Sequence, residues 1–518
     1  MPLGRHVVGD GYQIRGLGSA DLRCSRCMKF SRLKSNRGIY EELRRQGSYL
    51  WVKTPLRCPD EACANHLPER SSPKRLFYKR GKTHSGSDRW QCCLCEKTFS
   101  LGKPTRGHKK PHVNLLAFKL LINKTPINRM MEILEIGAPS LYGKIDFIYE
   151  QCRLFAASRE MALPRMEFDR LYLCTDRQDY MVNWGDRSAR KTIQLTAVAT
   201  SELRSGYIFG LTPNFDPSID PAGLQEAVEL AGDPGKPYAL RQFARLWTDG
   251  DYKTSVFRSA TGSKETARDD LDAPELLTIR QQLPSTGAQV HADYLMHGHY
   301  WLLRYLLPGA KKLRFFLDRD AGLLSACFGA FSDRVSDRTA DIVIVDIEKD
   351  LKTTDRQKGH AKAKAWFDQQ RIRFTGMTDS QIKTALMADR VTAARAAHAV
   401  PARALQDTWL EHPFPDLAEP VKRYRYATDY GDYDAEHTAN LLNMGTLWPV
   451  DTAFNQTRRR LAYCERPIRS NRRANGLWQI YAPYDPAMLE KLLTIYRVWH
   501  NFVWVSVKQR AKLSRFRG

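Results

Sequence analysis

The sequence predicts an α/β protein, a mixed sheet flanked by helices. A basic, cysteine-bearing region and a helical region precede it, and a helical insertion interrupts it. Three observations carry this reading. Between residues 170 and 213 the apolar runs RLYLCTD, KTIQLTAVAT and SGYIFGLT are separated by short polar gaps, as in an antiparallel meander. From residue 291 to 347, helical and strand patterns alternate, which adds parallel strands to the same sheet. Seven of the eleven cysteines precede residue 96, apart from that core.

Composition bounds the rest. Of 518 residues, 42% are hydrophobic and 10% aromatic, which is enough for sizeable cores and excludes a wholly disordered chain. The length suits roughly three or four domains. No apolar run approaches the ~18–20 residues of a membrane span. The opening stretch MPLGRHVVGDGYQIRG has no apolar h-region, so an unsecreted, cytoplasmic protein is expected. Lys and Arg number 81 against 57 Asp and Glu, a net charge of +24, and a polyanion is the natural partner. Residues 1–110 hold 24 Lys+Arg and 9 Asp+Glu, so +15 of the charge accompanies the clustered cysteines.

The elements follow in order. Residues 1–110 are rich in Gly, Ser, Arg and Lys, with strand-like pieces such as Arg75–Lys79. In 111–160, LLAFKLLIN is apolar at helical spacing, and TPINRMMEIL follows with Thr125 as cap and Pro126 in the first turn. A Gly-Ala-Pro break at 137–139 leads into SLYGKIDFIYEQCRLF, with Ser140 as N-cap. Two short helices and a tight turn into a third fit a helix-turn-helix, although an ordinary helical connector has the same pattern. Residues 165–350 form the first part of the core: the meander, a Pro- and Asp-punctuated elaboration at 214–290, then HADYLMHGHYWLLRYLL (helix), KKLRFFLD (strand), AGLLSACFGAF (helix) and ADIVIVDI (strand). Residues 351–445 read as a polar helical insertion. Residues 446–518 return to the core with a helical block at 449–465, a C-terminal helix and a basic tail.

The cysteines suggest a metal site. Cys58-Pro-Asp-Glu-Ala-Cys63 and Cys92-Cys93-Leu-Cys95 are two knuckles, and four thiolates from two tight turns make a structural zinc site of the ribbon type. The two-residue gap selects Cys92 and Cys95 and leaves Cys93 a bystander. An odd cysteine count in a basic, unsecreted chain favours metal over disulfides. Cys24-Ser-Arg-Cys27 is a further knuckle with no evident partner pair, and its role stays open.

A set of spaced carboxylates suggests a second site. Phosphoryl transfer on DNA with two divalent metals needs carboxylates converging from different parts of a sheet. Asp176 ends the strand RLYLCTD and Asp318 ends LRFFLD just before a helix, although aspartates often end strands as turn or cap residues. The third candidate is Asp451 in PVDTAFNQTRRRLAYCERP. There Asp451, Asn455 and Arg458 fall on one helical stripe, beside a core-facing stripe of Val450, Phe454, Thr457 and Leu461. Glu465 is the rival third acid, but Pro467 means the helix is ending there, so Asp451 is favoured.

These residues resemble a bacterial insertion-sequence transposase of the DDE type. The Cys58–Cys63 knuckle with Arg89-Trp-Gln-Cys92 through Cys95 and Lys97-Thr-Phe is similar to the N-terminal zinc ribbon of such enzymes. Asp318 through Gly322-Leu323 to Ala326 resembles the second-aspartate segment of mutator-like transposases, and VDTAFNQTRRRL resembles the third-acid helix. The resemblance implies an RNase H-like core in which Asp176, Asp318 and the third acid hold two Mg²⁺ ions. It also implies structural zinc, binding of double-stranded DNA at the element's ends and target, and a homo-oligomer on DNA in the nucleoid. Ser140, Tyr142 and Lys144 would then stand near the start of a recognition helix, and Asn455, Arg458 and Arg459 would face phosphates. Two departures stand out: an Asp in place of the usual third Glu, and 133 positions between Asp318 and Asp451, which require an insertion. A DNA-binding protein with an inactive core and a structure-selective nuclease of the same fold are the alternative functions.

Overall fold

The computed structural model describes residues 12–15, 21–24, 30–51, 56–66, 75–183, 192–252, 286–348, 351–465, 468–469, 477–478, 481 and 485–504, leaving aside positions 103, 106, 415, 416 and 418. Cys27, the middle of the 214–290 elaboration and the basic tail lie outside these residues, and Cys24 falls on a strand within them.

Strands β1 (Tyr12–Arg15), β2 (Asp21–Cys24) and β3 (Phe30–Arg32) form an antiparallel sheet, followed by helix α1 (Asn36–Gln46). A second antiparallel sheet holds β4 (Phe77–Lys82), β5 (Asp88–Cys92) and β6 (Thr98–Ser100). Next come α2 (Asn114–Ile122), α3 (Ile127–Leu134) and α4 (Ala138–Glu160). The two expected caps shift by a few residues. Pro126 is itself the N-cap of α3, and α4 starts after Gly137 with Pro139 in its first turn, so Ser140 is inside the helix and caps nothing. Proline's fixed φ suits that first turn and accounts for the earlier start.

The main sheet is mixed and seven-stranded. Its members are β7 (Phe168–Asn183), β8 (Thr192–Glu202), β9 (Ile208–Pro213), β12 (Ala310–Asp318), β13 (Ala340–Ile347), β14 (Leu410–Glu411) and β15 (Lys422–Tyr426), in the order β14-β15-β13-β12-β7-β8-β9. β7, β8 and β9 are the antiparallel meander. β12 runs parallel to both β7 and β13. Their Phe315-Phe316-Leu317 and Ile342-Val343-Ile344-Val345 are buried in continuous runs, as expected of strands covered on both faces. The small pair β10 (Phe215–Asp216) and β11 (Ala288–Gln289), with α5 (Pro221–Leu230), belongs to the elaboration.

Helices α6 (Ala292–Leu306) and α7 (Ala321–Ser336) precede and follow β12. The insertion opens with α8 (Thr353–Arg373), α9 (Asp379–Ala397) and the single-turn α10 (Ala404–Asp407). It is not purely helical, because β14 and β15 lie within it and extend the sheet, β15 antiparallel to β13 and β14 antiparallel to β15. In KRYRY the buried Lys422, Tyr424 and Tyr426 alternate with more exposed Arg423 and Arg425, a period of two carried by polar side chains that hydropathy alone does not register. Then follow α11 (Ala435–Asn443), α12 (Trp448–Arg460) and α13 (Pro486–Val498).

One buried carboxylate ties four segments together. Glu160 at the end of α4 accepts from Tyr207 (2.7 Å), from Arg497 of α13 (2.7 Å) and from Tyr49. Among the described residues no helix is long and apolar enough to cross a membrane.

Candidate active site and metal centre

Asp176 and Asp318 come together through strand register. Leu317 of β12 pairs with Thr175 of β7, so the next residues, Asp318 and Asp176, stand side by side on one face where the β7–β12 pairing stops. Asp176 does not end its strand as expected. β7 continues to Asn183 because β8 keeps pairing with it, from Asp176↔Ala199 to Asn183↔Thr192. What ends at Asp176 is the partner on its other side. Asp176 is 5% exposed, and its Oδ1 accepts the Arg177 N–H at 2.7 Å.

Helix α12 brings Asp451 to the same face. Side chains alternate along β7, so Cys174, Asp176, Gln178 and Tyr180 share one side of the sheet. Thr457 of α12 bonds Tyr180 at 3.0 Å and Gln178 at 3.4 Å. Asp451 lies six residues earlier, about 9 Å along a helix or about three residues of strand. Burial pushes the Cys174 thiol well above its ordinary range, and the negative charges of Glu419, Glu202 and Asp451 push it further. Asp451 thus acts on Cys174, and α12 runs in the same direction as β7 along the row that contains Asp176. Val450, Phe454, Thr457 and Leu461 are buried while Asn455 and Arg459 are exposed and Arg458 is half-buried, in the two stripes read from the sequence.

Glu465 is placed elsewhere. It follows the end of α12 and pairs with Lys124 at 2.8 Å, beside the α2–α3 turn. Arg460 reaches Asn123 Oδ1 at 2.9 Å, and its carbonyl accepts the Lys124 N–H at 2.8 Å. Between the two candidate third acids, Asp451 is the one on the face of Asp176.

Several residues that support this face were not singled out from the sequence. Glu419 is 4% exposed; it accepts from Lys422 Nζ at 2.6 Å, from the Leu447 N–H at 3.0 Å and from the Thr446 hydroxyl. It therefore holds the N-terminal end of α12. Behind Asp176, Thr175 bonds Thr200 at 2.7 Å and Thr200 bonds His299 Nε2 of α6 at 2.7 Å. Burial, with help from the charge of Arg497, lowers the His299 pKa to about 3, so this histidine is a neutral structural partner. Arg177 pairs with Asp320 at 3.0 Å, and Asp320 caps α7 through the N–H groups of Gly322 and Leu323. No local pattern marks these partners, because they are distant in sequence.

In the helical region, Tyr142 is exposed and Ser140 half-buried. Lys144 is not the surface cation expected of a recognition helix. It is 3% exposed, and its Nζ donates to Asn114 Oδ1 (2.7 Å) and to the carbonyls of Lys109 (2.9 Å) and Lys110 (3.1 Å). It faces inward because its neighbour Ile145 and residues Leu141 and Ile148, one turn away on either side, all pack into the core.

The cysteines converge. Cys58, Cys63, Cys92 and Cys95 form a cluster whose ligand atoms all lie within 4.8 Å of one another. Sγ–Sγ separations of 3.3 Å (Cys58–Cys95) and 3.8 Å (Cys63–Cys92) approach the ~3.8 Å edge of a tetrahedron built on Zn–S bonds of ~2.3 Å. The donor set therefore fits a metal such as zinc, and Cys93 is outside it. Asn65, 4% exposed, donates to Cys92 Sγ at 3.3 Å, and the Leu94 N–H does so at 3.4 Å. Burial raises the Cys92 thiol, but these donors and the Cys95 N–H outweigh it and bring the pKa down to about 6. Among the described residues this is the one set of three or more His, Cys, Asp or Glu side chains drawn so close; the aspartates line their edge without closing to that spacing.

No family model matches the chain, and neither does any curated protein.

Proposed function

We propose that the chain is a DNA transposase of the DDE type, which cleaves and joins strands at the ends of an insertion sequence. The observation that carries this reading is the placement of Asp176 and Asp318 side by side on adjacent parallel strands, with Asp451 on a helix across the same face. An antiparallel meander followed by two parallel strands, with helices between them, supports an RNase H-like core. The oxygen-only donor set suits Mg²⁺, and bound there the metal would supply Lewis-acid activation of nucleophile and leaving group. Asp176 and Asp318 would hold it from the sheet and Asp451 from α12, with the Glu419–Lys422 pair fixing that helix. Asn455, Arg458 and Arg459, on the outer turns of the same helix, would meet the phosphates of the bound end. The Cys58, Cys63, Cys92 and Cys95 cluster would be a zinc ribbon that anchors the basic N-terminal region against duplex DNA.

The test uses purified protein and a plasmid carrying the DNA that flanks its own gene, with Mg²⁺ or with EDTA. Metal-dependent nicking at the element ends and joined products are expected, both lost in Asp176→Ala. DNA binding with no metal-dependent cleavage would reject the catalytic reading, and cleavage without joining would replace the transposase with a nuclease.

A further inference from the structure

The face of the sheet opposite the aspartates carries a cavity. Ile344 pairs with Leu317 on one side and with Arg425 on the other, so these three side chains share a face, and Asp318, one residue on, points to the other. A cavity of about 1030 Å³ opens on the Ile344 face between α1, α6, α7 and the β13–β15 edge. Arg319 and Asp320, immediately after Asp318, form its rim, so it begins where the candidate active site ends.

Its chemistry is aromatic and cationic. Three guanidinium groups gather around the Trp409 ring, Arg425 at 5.3 Å, Arg319 at 5.4 Å and Arg423 at 5.9 Å from its centroid. One carboxylate, Asp346, serves both Arg319 (3.2 Å) and Arg423. Arg425 makes no hydrogen bond or ion pair with any described side chain, so its cation–π contact leaves a positive charge uncompensated in the cavity wall. Phe328, 44% exposed, and Trp301 line the same space. Here Phe328 is exposed, Trp409 is partly exposed and Arg425 has no carboxylate partner among the described residues, a combination of aromatic rings and positive charge that suits unpaired bases and the phosphates between them. Bases inside a duplex offer no free face, so this wall selects single strands.

We propose that this groove binds a short single-stranded DNA segment, the continuation past the sheet edge of the strand whose phosphate lies at Asp318, with a base stacked on Trp409 and its phosphates on Arg319 and Arg425. The proposal rests on the DNA-cutting reading above and adds to it a separate site for unpaired nucleotides.

The test measures equilibrium binding of the full chain in EDTA to labelled oligodeoxythymidylate of about eight nucleotides, and to a duplex of the element end. Trp409→Ala is expected to weaken oligonucleotide binding at least about fivefold and Trp409→Phe much less, since stacking contributes most of the affinity per base. Arg425→Gln is expected to lower the salt slope by about 0.7. Duplex affinity should stay within about twofold of wild type, because the duplex is not held here. If both Trp409→Ala and Arg425→Gln bind the oligonucleotide as wild type does, the groove proposal falls. It falls equally if the wild type binds duplex and ignores the oligonucleotide. Wild-type protein that binds neither would reject the DNA reading itself. Should Trp409→Ala fail to fold, Arg425→Gln, at a half-buried strand position, decides the matter alone.

Discussion

A carboxylate and an ammonium group buried together are tolerated only when the remaining lone pairs and protons find partners. Glu419 and Lys422 meet that condition: Thr446 and the Leu447 N–H complete the carboxylate, and the Gly445 carbonyl takes a further Lys422 proton at 3.1 Å. Glu419→Gln leaves Lys422 buried with a neutral partner, which typically costs about 3–5 kcal/mol. The expected result is a lower thermal midpoint together with loss of metal-dependent cleavage, whereas the double change Glu419→Gln with Lys422→Met should recover much of the stability. A single variant as stable as wild type would show that the pair does not hold α12. Nothing near residue 419 announces this role, since its partners include a loop 28 positions away. Asp176 and Asp318 were legible for the opposite reason. Each follows a run of buried strand residues, and an acid after such a run stands out locally. Lys144 misled for the same local reason, because a lysine in sequence looks like surface until the neighbouring turns show which way the helix faces.

Among the elements, the cysteine knuckles were the most completely legible, because ligand spacing is a short-range property. The exclusion of Cys93 followed from counting residues, and the convergence of the other four agrees with it. One metal per chain is therefore expected by atomic absorption, retained in Cys93→Ser and lost in Cys58→Ser or on chelation. Binding requires thiolates, so release should accompany acidification. Four ligating thiols with no metal retained at neutral pH would reject the ribbon. The strands β14 and β15 were missed for a physical reason. β14 has only two residues, and the side chains of β15 are basic and aromatic; β15 is held by pairing to β13 and by cation–π contacts, and β14 by pairing to β15, rather than by a hydrophobic alternation. The length of β7 was underestimated similarly: RQDYMVN is too polar to read as strand, yet it is carried by an eleven-residue ladder to β8.

At the scale of the whole molecule, buried histidines set an acid limit. Burial holds His299 at about 3, with the charge of Arg497 assisting, and His412 at about 3, with Lys422 assisting. Both therefore stay neutral in the folded chain and bind a proton near pH ~6.5 once it unfolds. Stability is complete above that unfolded value and falls as pH drops from about 6.5 toward 3, by about 1.4 kcal/mol per pH unit for each histidine. Thermal midpoints at pH 7 and pH 5 test this, and a flat profile would mean that neither ring is neutral when folded. On the proposed function, the attraction of the basic surface for DNA would respond to salt rather than to pH in this range.

The fastenings at the two ends of α12 have one more consequence. Its first turn is pinned by Glu419 and its last residue is bonded to the α2–α3 corner through Lys124 and Asn123. Thirteen helical residues make a strut about 20 Å long. The α2–α3 corner and the turn that carries Asp451 are therefore the two ends of one rigid element, fastened at both.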